Sequence, residues 1–250
     1  MNFSINQLNS LVKLISSNPN EAKALIKLTS VDILKSLGNG QYNILLDGKT
    51  LTAQSHKTLT EGSKYWTQLT DTKDSTPKLS NLIKIPQILE SFQNRLTHYS
   101  IKELLSILES KNPAGTFKQS LVEQLATAST KEEFSNISNL LLSLQNQTFT
   151  IPLLFNSSFS ILQFKKRYNK KTKKTQIDFY TALEFLGPIS GVISFDNGNI
   201  VVNINVAFDK TKNFLENDME NFSYKIDISL LKDIEPLYNT NKNSLLDISI

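Results

Sequence analysis

Cysteine is absent from the 250 residues, which excludes disulfides, iron–sulfur ligation and thiol nucleophiles. Histidine occurs twice, as His56 and His98, in different regions, and neither lies in an H-E-x-x-H arrangement. The G-x-S-x-G pattern of a strand-to-helix nucleophile elbow is also missing. Gly48-Lys49-Thr50 lacks the glycine five positions upstream that a phosphate loop requires, so Gly48 reads as a turn residue. No stretch approaches the run of about 18 apolar residues that a membrane-spanning helix needs. The N-terminus has neither a basic n-region nor a continuous apolar core, so no classical secretory signal is expected. Charge of one sign is scarce too: 27 Lys and Arg against 23 Asp and Glu leave +4, too little across a whole chain to argue for nucleic acid. These absences point away from an enzyme, and no cofactor or metal is expected.

What remains is the composition of a globular protein, with 39% hydrophobic and 20% charged residues. The patterning predicts an α+β fold in four regions. Residues 1–38 read as N-terminal helices. The first carries Leu8, Leu11, Val12, Leu14 and Ile15 and stops at Asn18-Pro19, and the second runs from about Asn20 to Leu37 before Gly38. Residues 39–70 read as a small β module, OB-like or SH3-like. Its strands at 42–46, 49–54 and 64–69 are separated by Asp47-Gly48, the signature of a hairpin turn whose two central residues both need φ > 0.

Residues 71–147 read as a helical linker region, polar up to Pro77 and helical from Leu79 to about Gln145. Ser100 and Ser129 or Thr130 are its N-caps, and Glu103 and Glu133 stand at capping-box distance from Ser100 and Thr130. Asn112-Pro113 and Gly115 read as helix breakers. Residues 148–250 read as a β-rich domain with a helix packed on an antiparallel or mixed sheet. Strands at 151–155 and 159–164 come first, and alternation follows from Ile177 to Phe185 until Gly187-Pro188. A strand at 189–195, a turn at Asn197-Gly198 and a strand from Ile200 to Phe208 come next. A helix from Lys210 to Phe222, a strand around Ile226, and a last strand at Leu246, Ile248 and Ile250 complete the chain.

Two features carry functional expectations. The stretch Lys165 to Lys174 holds seven basic residues, among them Lys165, Lys166, Arg167, Lys170 and Lys171, with Tyr168 in their midst. It reads as a soluble loop between two strands that can contact phosphates or acidic protein. Glu216, Asp218 and Glu220 read as the solvated face of a helix.

The second feature is a resemblance. The segment FYTALEFLGPISGVISFDNGNIVVNINV (179–206), preceded by IPLLF (151–155) and a charged loop and followed by a helix with apolar anchors, resembles the C-terminal domain of flagellar hook-length control proteins of the FliK type. Leu183, Leu186 and Gly187 match the leucine–glycine signature of that family, and Pro188 and Ile189 lead into the strand that follows it. The stretch 42–69 is similar to a small β module that precedes this domain in some shorter members. The resemblance implies a non-enzymatic regulator of flagellar type III export. Such a protein is cytoplasmic or exported through that system, and contacts the export gate to switch substrate from hook to filament proteins. Gly187 and its neighbouring strands would matter for the switching fold. Two further expectations stand beside it: a nucleic-acid-binding protein using a partial β-barrel and the Lys165–Lys174 loop, which the modest charge disfavours, and a soluble protein-interaction module.

Overall fold

The computed structural model describes residues 28–69, 79–92, 98–155, 158–170, 174–196, 199–217 and 225–239. The first predicted helix, residues 20–27 of the second, the turn at Asn197-Gly198 and the strand at 246–250 lie outside them.

The α+β expectation holds. Five antiparallel strands form the N-terminal sheet: β1 (Leu28–Gly38), β2 (Gln41–Leu46), β3 (Lys49–Gln54), β4 (Lys64–Leu69) and β5 (Leu79–Lys84), in the order β3-β2-β1-β4-β5. The turn between β2 and β3 is the one Asp47-Gly48 predicts, with φ of 48° and 76°.

Two segments expected to be helical are strands instead. Residues 28–37 belong to β1, and residues 79–84 to β5. The cause is the same in both. The β1–β2 register skips between Ile33 and Lys35 and again between Ser36 and Gly38, so Leu34 and Leu37 are the extra residues of two bulges, 46% and 47% exposed. In β5 the register against β4 shifts between Trp66 and Gln68, opposite Asn81, whose φ is 51°. A bulge inserts one residue and throws the period-two alternation out of phase, and the leucines then fall at helix-like spacing. The β module therefore extends from Leu28 to Lys84 rather than from 39 to 70.

Four helices follow: α1 (Gln87–Phe92), α2 (Ile101–Glu109), α3 (Pro113–Thr127) and α4 (Lys131–Gln145). At the start of α2 the Ser100 N–H and hydroxyl both donate to Glu103 Oε2 at 2.7 Å, and the Glu103 N–H donates back to Ser100 Oγ at 3.2 Å, a complete capping box. Thr130 caps α4 by accepting from the Glu133 N–H at 3.1 Å, while the Glu133 carboxylate takes the Ser129 N–H at 2.8 Å. Asn112, Pro113 and Gly115 start α3 rather than break it. Asn112 is the N-cap, accepting from the Gly115 N–H at 3.1 Å, and Pro113 fills the first turn, where no N–H is needed.

The second sheet has the order β11-β10-β9-β8-β7-β6. Its strands are β6 (Thr148–Phe155), β7 (Ser158–Asn169), β8 (Lys174–Leu183), β9 (Gly187–Asp196), β10 (Asn199–Val206) and β11 (Lys225–Leu230). The first five form an antiparallel meander, and α5 (Asp209–Asn217) crosses over to place β11 parallel to β10. The sheet is therefore mixed.

Central strands bury both faces. In β8 every residue from Ile177 to Leu183 is buried, so its alternation separates two packed faces rather than core from water. The same holds for β4, where Tyr65, Trp66 and Thr67 are all buried. Val31, Ile33, Ile44 and Tyr65 form a small core of the first sheet. Leu28, Trp66 and Ile85 instead join the main core, with Ile88, Leu89 and Phe92 of α1, Phe117 of α3 and the apolar side chains of the second sheet. Phe117 stands 5.5 Å from Tyr99 and 6.0 Å from Phe149, ring centre to ring centre.

Candidate functional site

The leucine–glycine corner is interior. Leu183 ends β8, Gly187 begins β9, and Leu183, Leu186, Gly187, Pro188 and Ile189 are all buried. Gly187 has φ of 77°, and a Cβ there would stand 2.7 Å from Phe208 Cε2 and 3.3 Å from Leu28 Cδ2. Glycine is required both by the left-handed backbone and by the ring lying against it. The first turn of α5 locks the corner, because the buried Thr211 hydroxyl donates to the Leu186 carbonyl at 2.9 Å. Leu186 and Gly187 thus seat the start of α5 and a side chain of β1, and the five buried residues offer little surface to a partner.

The basic stretch lies elsewhere, and its residues 165–169 and 174 are strand rather than the expected loop. Lys165 to Asn169 belong to β7 and Lys174 opens β8, in the register Lys165↔Asp178, Arg167↔Gln176 and Asn169↔Lys174. The reason is pairing: polar side chains on a two-stranded ribbon stay in water on both faces, so hydrophilicity does not stop strand formation. The β6 pairing ends at Lys165, and the β9 pairing begins at Gln176. Beyond those points the ribbon stands alone. Lys166, Arg167, Lys170 and Lys174 are exposed, and Tyr168 is 62% exposed. Lys171 lies outside the described residues.

At the ribbon's base Arg167 donates from Nε and Nη2 to Asp178 Oδ2, and Gln176 Nε2 donates to Asp178 Oδ1 at 3.0 Å. Asp178 is only 3% exposed. Sequence reading missed it, although from Asn146 to Leu183 it is the only carboxylate beside seven cations.

A third arrangement involves the segment after β11. Leu231 to Asn239 has no regular structure, yet Ile234 is buried in the main core and Leu237 and Tyr238 pack against it. Gln163, fully buried in β7, binds the main chain of Tyr238 and also donates to Thr150 Oγ1 at 3.2 Å. Its sequence signal is a lone amide in the run Ile161-Leu162-Gln163-Phe164. Tyr180, its neighbour across β7–β8, is buried with a hydroxyl that finds no hydrogen-bond partner among the described residues, and burial pushes the phenol pKa up.

Two clefts flank this strap. One, of about 540 Å³, lies between Ser63, Lys84, Gln87 and Glu90 on one side and Ile234, Glu235 and Asn239 on the other. Burial raises the Glu90 carboxyl above its ordinary range, although Glu90 Oε1 accepts from the Lys64 N–H at 3.3 Å. The other, of about 410 Å³, is lined by His56, Lys57, Asn81, Lys232 and Asp233. Lys57 Nζ donates there to the Leu82 carbonyl at 3.2 Å. Among the described residues no group of three or more histidine, aspartate or glutamate side chains is placed to hold a metal ion. No described helix is long and apolar enough to cross a membrane. Glu216 pairs with Lys212 at 3.6 Å on the open side of α5, while Asp218 and Glu220 lie outside the described residues.

No protein-family model, curated protein or solved structure matches the chain.

Proposed function

We propose that this protein is a non-enzymatic regulator of flagellar type III export of the hook-length control kind, acting from the cytoplasm or after export through the same system. Its second sheet with α5 is the module that contacts the export gate and switches substrate class. The observation that carries this reading is the corner at Leu183, Leu186 and Gly187. The order of strand, leucine–glycine corner, strand, strand and helix is the order on which the resemblance rests; Gly187 leaves room for Phe208, the residue before α5, and the Leu186 carbonyl takes the Thr211 hydroxyl of that helix. A signature whose residues are all interior is a signature of fold. The partner is therefore met by the exposed faces that this corner positions, not by the corner.

The test is hook length and filament assembly in a strain lacking the gene. Uncontrolled hooks without filaments are expected, restored by the intact chain and not by Gly187→Val. Hooks of normal length bearing filaments would sink the reading.

A further inference from the structure

The ribbon made by the distal halves of β7 and β8 has a shape and charge that the export reading does not use. We propose that it is a nucleic-acid-binding arm, taking the sugar–phosphate backbone of a single or double strand through Lys165, Lys166, Arg167, Tyr168, Lys170 and Lys174. This goes beyond the export reading and stands independently of it.

Three observations converge. The first is projection. Past the last pair with β6, Lys166 and Arg167 lie on the open edge of β7, opposite Ile177 and Gln176, which β9 still pairs; Tyr168 and Asn169 then pair with Thr175 and Lys174 beyond both neighbouring strands. Two residue pairs at about 3.4 Å each carry this end of the ribbon roughly 7 Å beyond the last pairs with β9. A two-stranded antiparallel ribbon is one of the two elements narrow enough to enter a B-form major groove.

The second is charge. Asp178 is the only carboxylate between Asn146 and Leu183, and it is buried and engaged by Arg167 and Gln176. That contact ties β7 to β8 at the ribbon's base. Along the chain from Asn146 to Leu183 there is no second carboxylate, so the net charge of +4 understates the density of positive charge in this stretch.

The third is what the ribbon lacks. A specific protein contact is built around a desolvated apolar centre with a polar rim. Among the described residues the exposed part of the ribbon carries no aliphatic anchor, only lysines, an arginine, Tyr168 and Thr175. Cations with one aromatic suit a partner that is charged along its whole length and offers bases to stack on. Alternation places Lys166 and Tyr168 on one face and Lys165 and Arg167 on the other, so the two faces can engage backbone on both sides.

The test is fluorescence anisotropy of the full chain with labelled oligo-dT and with a labelled mixed-sequence duplex, titrated with salt. We expect binding to at least one at about 50 mM salt, falling on a log–log plot with a slope of about −2 to −4. Lys166→Glu with Lys170→Glu should weaken it about tenfold or more. Lys111→Glu with Lys118→Glu, exposed lysines of the helical region, makes the same change in net charge and should leave affinity within about twofold. Tyr168→Ala should lower affinity for oligo-dT more than for the duplex if stacking contributes, and equally if the tyrosine contacts phosphate only; both outcomes keep the arm. Preference for oligo-dT or for duplex decides which form is the ligand. Three results overturn the proposal: no binding to either probe at low salt, equal weakening by the two charge-reversed pairs, or displacement by polyglutamate as effective as by unlabelled DNA. The last would assign the ribbon to an acidic protein.

Discussion

The side-chain amide of Gln163 grips the main chain of Tyr238 from both sides: Nε2 donates to the Tyr238 carbonyl at 2.7 Å, and Oε1 accepts from the Tyr238 N–H at 3.2 Å. A buried side chain thus does what a neighbouring strand would do, and ties down a segment with no ladder of its own. Gln163→Leu should leave the Tyr238 N–H and carbonyl without partners and cost about 2 kcal/mol. Urea unfolding measures that loss, and amide exchange at Tyr238 should accelerate ahead of exchange in β8. Unchanged exchange at Tyr238 would mean that Ile234 and Leu237 hold the strap alone.

Glycines separate steric contact from backbone strain. Gly48 has φ of 76° with open space around it, whereas Gly187 has nearly the same φ with Phe208 against it. Gly48→Ala should cost about 1 kcal/mol, the left-handed penalty alone. Gly187→Ala should cost at least about 3 kcal/mol, because the Phe208 ring must move as well. Lys170→Ala, on the ribbon, should stay within about 0.5 kcal/mol. Equal losses at Gly48 and Gly187 in thermal melts would show that the contact with Phe208 is relieved at no cost.

Arg167 and Asp178 are unequal partners, the first 60% and the second 4% exposed in their side chains. Arg167→Ala strands a buried carboxylate with only Gln176 among the described residues to satisfy it, and should cost about 2 kcal/mol. Adding Asp178→Asn should recover part of that loss, since a neutral amide is cheaper to bury than an unpaired charge. A double-mutant cycle measures the coupling, and additive losses would rule it out.

Two carboxyls bend the pH dependence in opposite directions. Hydrogen bonds from the Ser100 N–H and hydroxyl hold Glu103 below its ordinary 4.5. Its contribution is complete above about pH 4.5 and is lost as pH falls through the lower folded value. Ser100→Ala should therefore cost about 1 kcal/mol near neutrality, and less once Glu103 is protonated. Glu90 is raised above 4.5, chiefly by burial, so its protonated form favours the fold, and that advantage is lost as pH rises through the folded value. Glu90→Gln should raise the urea midpoint at about pH 7 and leave it unchanged at about pH 4. The same increment at both values would refute burial as the cause.

The sequence by itself determined what neighbours along the chain decide. The Asp47-Gly48 turn, the capping box at Ser100, the helices from Ile101 to Gln145 and the Gly187 corner all depend on contacts within a few residues or on a backbone angle that few side chains accept. These were legible. Tertiary structure alone decided the rest. Bulges in β1 and β5 broke the alternation by which a strand is recognised, and where a bulge falls depends on the partner strand. Lys165 to Asn169 and Lys174 became strand because β7 and β8 continue their pairing past the last pairs with β6 and β9, which the composition of one strand cannot express. Burial on both faces of β8, the Arg167–Asp178 contact at its base and the grip of Gln163 on a residue 75 positions away arise only once the sheet brings distant segments together. The enthalpy of such contacts comes from neighbours in space, and local sequence carries no record of them.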